Sequence, residues 1–164
     1  MEVTMKKTVK EIMSTDVCVV RHWETLNRAA RLMWERDLGC VPVVDEATQL
    51  VGIVTDRDVC MGAYTQGRRL DDIHVGSVCT RTVYQVGPDT TLYAAEALMR
   101  ERRVRRLPVC DAHGMVIGML SIADLAMHLK VRADAPMTDA LSPMRIAATV
   151  EAVSEPRSMR SAAC

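Results

Sequence analysis

Two short stretches of the sequence place a hydroxyl side chain three residues before a carboxylate. Thr55 precedes Asp58 and Ser121 precedes Asp124, and each pair follows an apolar segment that contains a glycine. A hydroxyl residue between a buried strand and a helix is a typical helix N-cap. A helix start offers free N–H groups to an anion, and a carboxylate one turn inside can accept hydrogen bonds from a diol such as ribose. The two pairs therefore predict a site for a ligand that carries both an anionic group and a diol.

The same pattern also has a purely structural interpretation. Thr-x-x-Asp at a helix start is the Asp form of the capping box, which stabilises a helix without binding a ligand. Two copies at matched positions favour the ligand, because each copy lies behind a strand whose glycine, Gly52 or Gly118, allows another backbone or a ligand to approach closely.

Both pairs belong to an internal repeat, in which Val9 and Val75 begin the two copies. Fifteen of the 51 residues from Val9 to Val59 are identical to their partners in the second copy, and the alignment has no gap. The hydrophobic pattern of each copy predicts a βαββα unit, so the fold class is α/β (α+β). Since one unit leaves a sheet face and strand edges uncovered, we expect two units to pack as one pseudo-twofold module.

The pattern also gives approximate bounds. In the first copy we expect a short helix over 9–13, a strand over 17–20, a helix over 26–37, strands over 41–44 and 50–54, and a helix over 55–64. We predict the first repeat with its lead-in at 1–65, a polar linker at 66–74, the second repeat at 75–130 and a C-terminal tail at 131–164. The tail is expected to be mobile or to form one short helix, with Met144, Ala147, Val150 and Val153 on one side.

Composition restricts the class of protein. Lys plus Arg and Asp plus Glu both number 21, so no global field draws the chain toward nucleic acid, and with no Phe it has few aromatic platforms for bases. Neither a membrane span nor a signal peptide is visible. The six Cys show no Cys-x-x-Cys spacing, which predicts reduced thiols in a cytoplasmic protein without a metal site. Because no set of nucleophile, base and orienting group is present, we expect no enzyme.

Several elements occur twice in an order that resembles the CBS-domain family. They are a lead-in, which is Val-x-x-Ile-Met at Val9 and Val-x-x-Val-Cys at Val75, the Leu-x-x-Ala-x-x-Leu-Met helix at Leu26, a Pro-Val pair followed by Asp45 or Asp111, and Gly-x-x-Thr/Ser-x-x-Asp. The resemblance covers residues 9–128. It implies a tandem CBS pair that is not itself an enzyme, with no tightly bound cofactor. It also implies binding of AMP, ADP, ATP, NAD or S-adenosylmethionine, and a homodimer in the form of a four-repeat disc.

The resemblance further assigns the site residues. Thr55 and Ser121 would contact phosphate or ribose, and Asp58 and Asp124 would contact the ribose hydroxyls. In the family the opposite repeat completes each pocket, with the purine among apolar residues. One predicted pocket therefore joins Ile53, Thr55 and Asp58 to Val104, Arg105, Arg106 and Pro108, and the other joins Met119, Ser121 and Asp124 to Leu38, Gly39, Cys40 and Pro42.

The two predicted pockets differ in charge. Arg105 and Arg106 occupy positions that carry a phosphate-binding basic pair in related nucleotide sensors, whereas Gly39 and Cys40 are uncharged. The Asp58 pocket is therefore expected to prefer phosphorylated ligands. The alternative is that the Arg-rich segment 100–106 is a solvated helix end, where positive charge favours the negative pole of the helix dipole.

We therefore expect a regulatory adenine-nucleotide sensor that acts in trans on an unidentified protein partner. The alternative is a ligand-independent dimeric interaction protein in which the Thr-x-x-Asp pairs only cap helices. Nucleic-acid binding through the Arg-rich segment is a third and less favoured class.

Overall fold

The computed structural model of the chain describes residues 7–131 and 141–154. Its first repeat contains β1 (Val20–Arg21), α1 (Leu26–Glu35), β2 (Cys40–Val44), β3 (Leu50–Thr55) and α2 (Asp56–Gln66). Its second repeat contains α3 (Leu92–Arg102), β4 (Arg106–Cys110), β5 (Val116–Ser121) and α4 (Ile122–Val131). A further helix, α5 (Pro143–Ser154), follows the repeats, and short 3-10 turns lie at Val9–Glu11, Leu70–Asp72 and Val75–Ser77. The mixed α+β class predicted from the sequence is confirmed.

The strands form two small sheets. In the first repeat β2 is central, parallel to β1 and antiparallel to β3, with Val43 opposite Gly52 and Pro42 opposite Ile53. In the second repeat β4 pairs with β5, and the counterpart of β1 is reduced to a single parallel bridge between Val86 and Val109. The predicted strand at 17–20 is likewise shorter than expected, since only Val20 and Arg21 pair with β2.

The chain divides into two compact units that do not coincide with the two sequence repeats. The first-repeat unit comprises residues 16–83 and 110–117. The second-repeat unit comprises, within the described residues, 7–15, 84–109, 118–131 and 141–154. Each unit therefore contains the lead-in of the other repeat. The lead-in that begins at Val9 belongs to the second-repeat unit, and the lead-in that begins at Val75 belongs to the first-repeat unit.

Backbone hydrogen bonds attach each lead-in to its unit. In the second-repeat unit Val9 N–H donates to the Thr90 carbonyl at 2.8 Å. In the first-repeat unit Val75 N–H donates to the Glu24 carbonyl, also at 2.8 Å. Val9 and Val75 are both fully buried, so each lead-in contributes a side chain to the core of its unit.

Each unit has its own apolar core, built without phenylalanine. The core of the first-repeat unit consists mainly of aliphatic side chains from both helices and all three strands, among them Leu26, Val41, Val43, Val54 and Val59. In the second-repeat unit the corresponding positions are buried: Leu92, Met99, Leu107, Val109, Leu120 and Leu125. Burial of such side chains contributes roughly 1.5 to 3 kcal/mol each, which makes these positions the main source of stability.

The helix α5 packs on α3 and α4 within the second-repeat unit. The helical option for the tail is thus what residues 143–154 adopt, whereas the tail segments 132–140 and 155–164 lie outside the described residues. The face differs from the one expected. Ile146, Thr149 and Val153 are buried, while Met144 and Val150 are exposed.

A buried carboxylate fixes this orientation of α5. Glu96 of α3 is fully buried and accepts hydrogen bonds from Nε and Nη2 of Arg145, the former at 3.0 Å, and from the hydroxyl of Thr149. The guanidinium of Arg145 also lies over the ring of Tyr93, 4.1 Å from its centroid. Since a buried carboxylate is costly without partners, α5 is an integral part of the second-repeat unit.

Candidate functional site

The first candidate site lies where β3 runs into α2. We call Ile53, Thr55 and Asp58 the Thr55 half-site. The Thr55 hydroxyl accepts a hydrogen bond from Asp58 N–H at 3.2 Å and donates to Asp58 Oδ2 at 2.8 Å, and Oδ2 also accepts from Thr55 N–H at 2.9 Å. Thr55 is thus the N-cap of α2 and forms a complete capping box with Asp58.

The second candidate site repeats this geometry where β5 runs into α4. We call Met119, Ser121 and Asp124 the Ser121 half-site. Asp124 Oδ2 accepts from Ser121 N–H at 2.8 Å and from the Ser121 hydroxyl at 2.6 Å, while Asp124 N–H donates to that hydroxyl at 3.2 Å. All members of both half-sites are partly buried, so they combine solvent access with fixed side chains.

Only one oxygen of each carboxylate takes part in the cap. Within the part of the chain that the structure describes, Oδ1 of Asp58 and Oδ1 of Asp124 accept no hydrogen bond. A third capping box, Thr8 with Glu11, differs in this respect, because its second carboxylate oxygen lies 3.9 Å from the ammonium group of Lys7. Each half-site therefore offers an acceptor oxygen that the helix does not use.

A backbone hydrogen bond brings one more predicted residue to each helix start. Asp56 N–H donates to the Gly39 carbonyl at 3.3 Å, and Ile122 N–H donates to the Arg105 carbonyl at 3.0 Å. These bonds satisfy one of the amides that a helix start leaves unpaired. Within the first-repeat unit Gly39 thus lies at the Thr55 half-site, and within the second-repeat unit Arg105 lies at the Ser121 half-site.

The lead-ins border the half-sites, which the sequence did not reveal. In the first-repeat unit Ile53 and Thr80 exchange two backbone hydrogen bonds, of 3.0 and 2.9 Å. In the second-repeat unit Met119 and Ser14 exchange two bonds of 2.9 Å. Thr80 and Ser14 occupy equivalent positions in the repeat. Cys79 directly precedes Thr80, and a Cβ on Gly52 would lie only 2.9 Å from its Sγ. Gly52 and the equivalent Gly118 therefore allow the lead-in to approach the strand closely.

The remaining predicted residues differ in exposure. Arg105 and Arg106 are exposed, as expected for side chains that meet a phosphate or solvent, and Val104 is half-buried. Pro108 is buried in β4 and Pro42 in β2, while Leu38 and Gly39 are half-buried and Cys40 is buried. Prolines inside these strands leave little side-chain surface for a ligand, so any contact with them has to be a small apolar one. The composite pockets that join residues of both units stay a prediction.

The thiol of Cys79 adds a chemical marker beside the Thr55 half-site. It is half-buried, and desolvation by its surroundings raises its pKa above the ordinary thiol value. A smaller fraction of this thiol than of an ordinary one is therefore present as the reactive thiolate at neutral pH. Elsewhere in the described residues, no three His, Cys, Asp or Glu side chains are grouped so that they could hold a metal ion. Nor does any described helix have the length and apolar character needed to cross a bilayer.

Comparison with known proteins places this geometry in a family. The chain is 33% identical over 141 residues to hypoxic response protein 1 of Mycobacterium tuberculosis, covering 85% of this chain and 98% of that protein. The crystal structure of Hypoxic Response Protein I with two coordinated zinc ions is similar, with a TM-score of 0.68, 30% identity and coverage of 74% of this chain and 98% of that one.

A second solved structure is similar to a comparable degree. CBSX2 in complex with AMP matches with a TM-score of 0.66 and 30% identity, over 76% of this chain and 98% of that chain. The family model described as the CBS domain matches twice, at residues 9–62 and 75–131, which together make up more than half of the chain. The chain belongs to the CBS-domain family and contains a tandem pair of these domains.

Proposed function

We propose that the chain is a regulatory module that binds an adenosine-containing ligand of the AMP, ADP or ATP type at its half-sites. The observation that carries the proposal is that the capping boxes of Asp58 and Asp124 use only Oδ2, which leaves Oδ1 of each carboxylate next to a capped helix start without a hydrogen bond from any described residue. A ribose diol can donate to such an oxygen without disturbing the capping box. The AMP complex of a protein 30% identical to this chain supports the ligand class.

The expected roles follow from position. Asp58 and Asp124 accept hydrogen bonds from the ribose hydroxyls, and Thr55 and Ser121 contact phosphate or ribose at the helix start. Ile53 and Met119 belong to edge segments whose backbone is already paired with Thr80 and Ser14, so they offer partly buried apolar surface to a purine. Val104, Leu38, Pro42 and Pro108 are proposed to add apolar contacts.

The output of the module is proposed to act in trans on a protein target, through a homodimer whose geometry depends on ligand occupancy. The energetic requirement is that the ligand bind one geometry more tightly than the other. A ligand that bound both geometries equally would transmit nothing, however tight its binding.

A thermal-shift series tests the proposal. AMP, ADP, ATP, NAD and S-adenosylmethionine are added at millimolar concentration to the wild-type chain and to Asp58→Ala, Asp124→Ala and the double variant. We expect at least one ligand to raise the Tm of the wild type, and the double variant to lose that rise. Glu11→Ala is the matched control, because it removes the capping box outside the half-sites and should keep the full ligand response.

A ligand-independent interaction protein is the second candidate. It is favoured by the completeness of both capping boxes, which already explains why Thr55, Asp58, Ser121 and Asp124 are present. It predicts that no adenosine ligand changes the Tm, and that the Asp58, Asp124 and Glu11 variants behave alike. The same thermal-shift series therefore decides between the two candidates.

A further inference from the structure

An arginine follows the part of the lead-in that is paired with the Thr55 half-site. Thr80 exchanges two backbone hydrogen bonds with Ile53, and Arg81 is the next residue in the chain. Arg81 and the Thr55 half-site both belong to the first-repeat unit, so their proximity is a property of one compact unit. The sequence did not single out this arginine, because the lead-in was not expected to border the half-site.

The thiol of Cys79 gives a second observation that connects the arginine to the half-site. Desolvation raises the pKa of Cys79, the positive charge of Arg81 lowers it, and the negative charge of Asp58 raises it. Because charges act on one another over a short range in salt solution, both charged groups lie near the same sulfur atom. That sulfur lies against Gly52, the residue before Ile53. The guanidinium of Arg81 and the carboxylate of Asp58 are thus near neighbours of one point beside the half-site.

Arg81 is exposed, and most of its hydrogen-bonding capacity is unused. Within the described ranges, the Gly76 carbonyl is the group that accepts a hydrogen bond from its guanidinium, at a long 3.4 Å from Nη2, and no carboxylate is paired with it. A guanidinium has five N–H donors in a planar fork that fits the oxygens of a phosphate. Three other arginines of the same unit, Arg28, Arg31 and Arg36, are each paired with a carboxylate. Arg81 can therefore turn to an anionic ligand without breaking an ion pair.

The Thr55 half-site needs such a cation if it is to bind a phosphorylated ligand. The first turn of α2 contains two carboxylates, Asp56 and Asp58, with Arg57 between them, whereas the first turn of α4 contains one, Asp124. The positive pole of a helix start attracts a phosphate, but carboxylates in the same turn oppose that attraction. The residue whose carbonyl is bonded to the start of α2 is Gly39, which adds no charge. A further positive charge therefore has to come from another element, and the lead-in carries one.

The internal repeat shows that the two units carry an arginine at different places. In the alignment of the repeats Arg81 corresponds to Thr15, and Arg105 corresponds to Gly39. The first-repeat unit contains Gly39 and Arg81, and the second-repeat unit contains Arg105 and Thr15. Each unit thus has one arginine at these two matched positions, in the lead-in of one unit and before β4 in the other. The same charge reaches the two half-sites from different elements.

We propose that Arg81 binds the phosphate of a ligand at the Thr55 half-site, so that this half-site selects phosphorylated adenosine ligands over adenosine. Asp58 accepts from the ribose and Arg81 donates to the phosphate, both from within the first-repeat unit. The inference rests on the proposed function, because it names the residue that meets the phosphate of the same ligand class. Since the arginines of the two units come from different elements, the two half-sites are expected to differ in their affinity for AMP.

Titration calorimetry of the full chain with AMP and with adenosine tests the inference. The parent chain carries Asp124→Ala, which removes the ribose acceptor of the Ser121 half-site and leaves the Thr55 half-site to be measured. Adding Arg81→Ala should weaken AMP about tenfold or more, as expected for the loss of a charge-assisted hydrogen bond to phosphate, and should leave adenosine unchanged. A structural role of Arg81 would change the Tm and weaken both ligands together, so the ratio of the two affinities separates the two roles.

Arg57→Ala in the same parent chain is the matched control. Arg57 is exposed, carries the same charge and directly precedes Asp58, but its position on α2 is outside the lead-in. Its removal should therefore change the affinity for AMP much less than Arg81→Ala does. A larger effect of Arg57→Ala would assign the phosphate to the helix itself and overturn the inference.

The remaining outcomes separate this inference from the proposed function. If AMP binding depends on Asp58 but is unchanged by Arg81→Ala, the role of Arg81 is wrong and the proposed function stands. The same conclusion follows if the wild type binds AMP and the Asp124→Ala parent does not. If the wild type binds neither AMP nor any other adenosine ligand, the proposed function fails and the inference fails with it.

Discussion

The backbone N–H of Ile122 donates a hydrogen bond of 3.0 Å to the carbonyl of Arg105, so the first residue of α4 is joined to the residue that precedes β4. The equivalent bond in the first repeat runs from Asp56 to Gly39. The residue whose carbonyl accepts this bond is an arginine, with a long cationic side chain, in the second repeat and a glycine, without a side chain, in the first repeat. The two half-sites consequently share one backbone geometry but differ in charge.

Arg105 and Arg106 offer the sharpest test of ligand binding. Each charge-assisted hydrogen bond to phosphate contributes about 1.5 to 3 kcal/mol, so Arg106→Ala should weaken AMP about tenfold or more and leave adenosine unchanged. Calorimetry is the measurement. Two equivalent AMP sites per chain, or no loss of AMP affinity after replacement of both arginines, would show that the Arg-rich segment is only a solvated helix end.

The half-site that uses these arginines can be identified by a double-mutant cycle. If they act at the Asp58 pocket, as the family resemblance implies, Arg105→Ala costs nothing further in an Asp58→Ala background. If they act at the Ser121 half-site, where the backbone of Arg105 lies, the effect disappears in Asp124→Ala instead. Calorimetric AMP affinities of the four variants decide between the two assignments.

The capping boxes predict a matched loss of stability. Asp58→Ala, Asp124→Ala and Glu11→Ala each remove a carboxylate that accepts a hydrogen bond from an N-cap N–H, and each should lower the free energy of unfolding by about 1 kcal/mol in urea. Wild-type stability in Asp58→Ala would show that this carboxylate is present for the ligand alone.

Gly52 is predicted to be intolerant of a methyl group. A Cβ there would lie 2.9 Å from Sγ of Cys79 and 3.2 Å from the Thr80 carbonyl, so Gly52→Ala should displace the lead-in and cost about 1 to 3 kcal/mol in chemical unfolding. Gly87→Ala is the control, because the nearest atom to its Cβ is 3.9 Å away, and its stability should match the wild type.

Alkylation of Cys79 should report on occupancy of the Thr55 half-site. Because burial raises the pKa of this thiol, its alkylation is expected to be slow at neutral pH and to speed up as the pH rises above the ordinary thiol range. A bound nucleotide should slow it further, whereas the exposed Cys60 reacts at the same rate with and without ligand. Peptide mass spectrometry distinguishes the two sites, and equal protection of both thiols would contradict the prediction.

The pair of Glu96 and Arg145 predicts strong non-additivity. Arg145→Met leaves a buried carboxylate with one partner fewer and should destabilise the chain by about 3 to 5 kcal/mol. The double variant Glu96→Ala/Arg145→Met removes both charges and should recover most of that loss, because alanine is also the residue at the equivalent position 30. Chemical unfolding of the single and double variants measures the coupling.

The sequence predicted the central elements closely because their signals are local. Strands expected at 41–44 and 50–54 occur at Cys40–Val44 and Leu50–Thr55, since uninterrupted apolar runs end at turn residues and at the N-cap Thr55. The strand before each helix was harder to predict. Val20 and Val86 are both buried, but pairing extends over two residues in one copy and a single bridge in the other, and the hydrophobic pattern does not carry that difference.

Two features depend on contacts distant in sequence and were missed. The buried face of α5 could not be chosen by periodicity, because Met144, Ala147 and Val150 are as apolar as the residues that are buried; the contact with Glu96 decides it. A signal existed, since the acidic Glu96 stands in the second repeat where the first repeat has the apolar Ala30. The attachment of each lead-in to the other repeat left no signal, because the two lead-ins have similar apolar patterns, with Val9 and Ile12 in one copy and Val75 and Val78 in the other.

That exchange of lead-ins has a consequence for the origin and dissection of the chain. A fragment that contains a single repeat would carry its own lead-in, which pairs with the missing half. It would lack the other lead-in, which pairs with its β3 or β5. Two copies of such a fragment could satisfy each other by swapping these segments, as the two halves do within one polypeptide. Gene duplication would then have joined a swapped dimer end to end. An isolated repeat should refold as a dimer, whereas the intact chain completes its cores within one polypeptide at the same protein concentration.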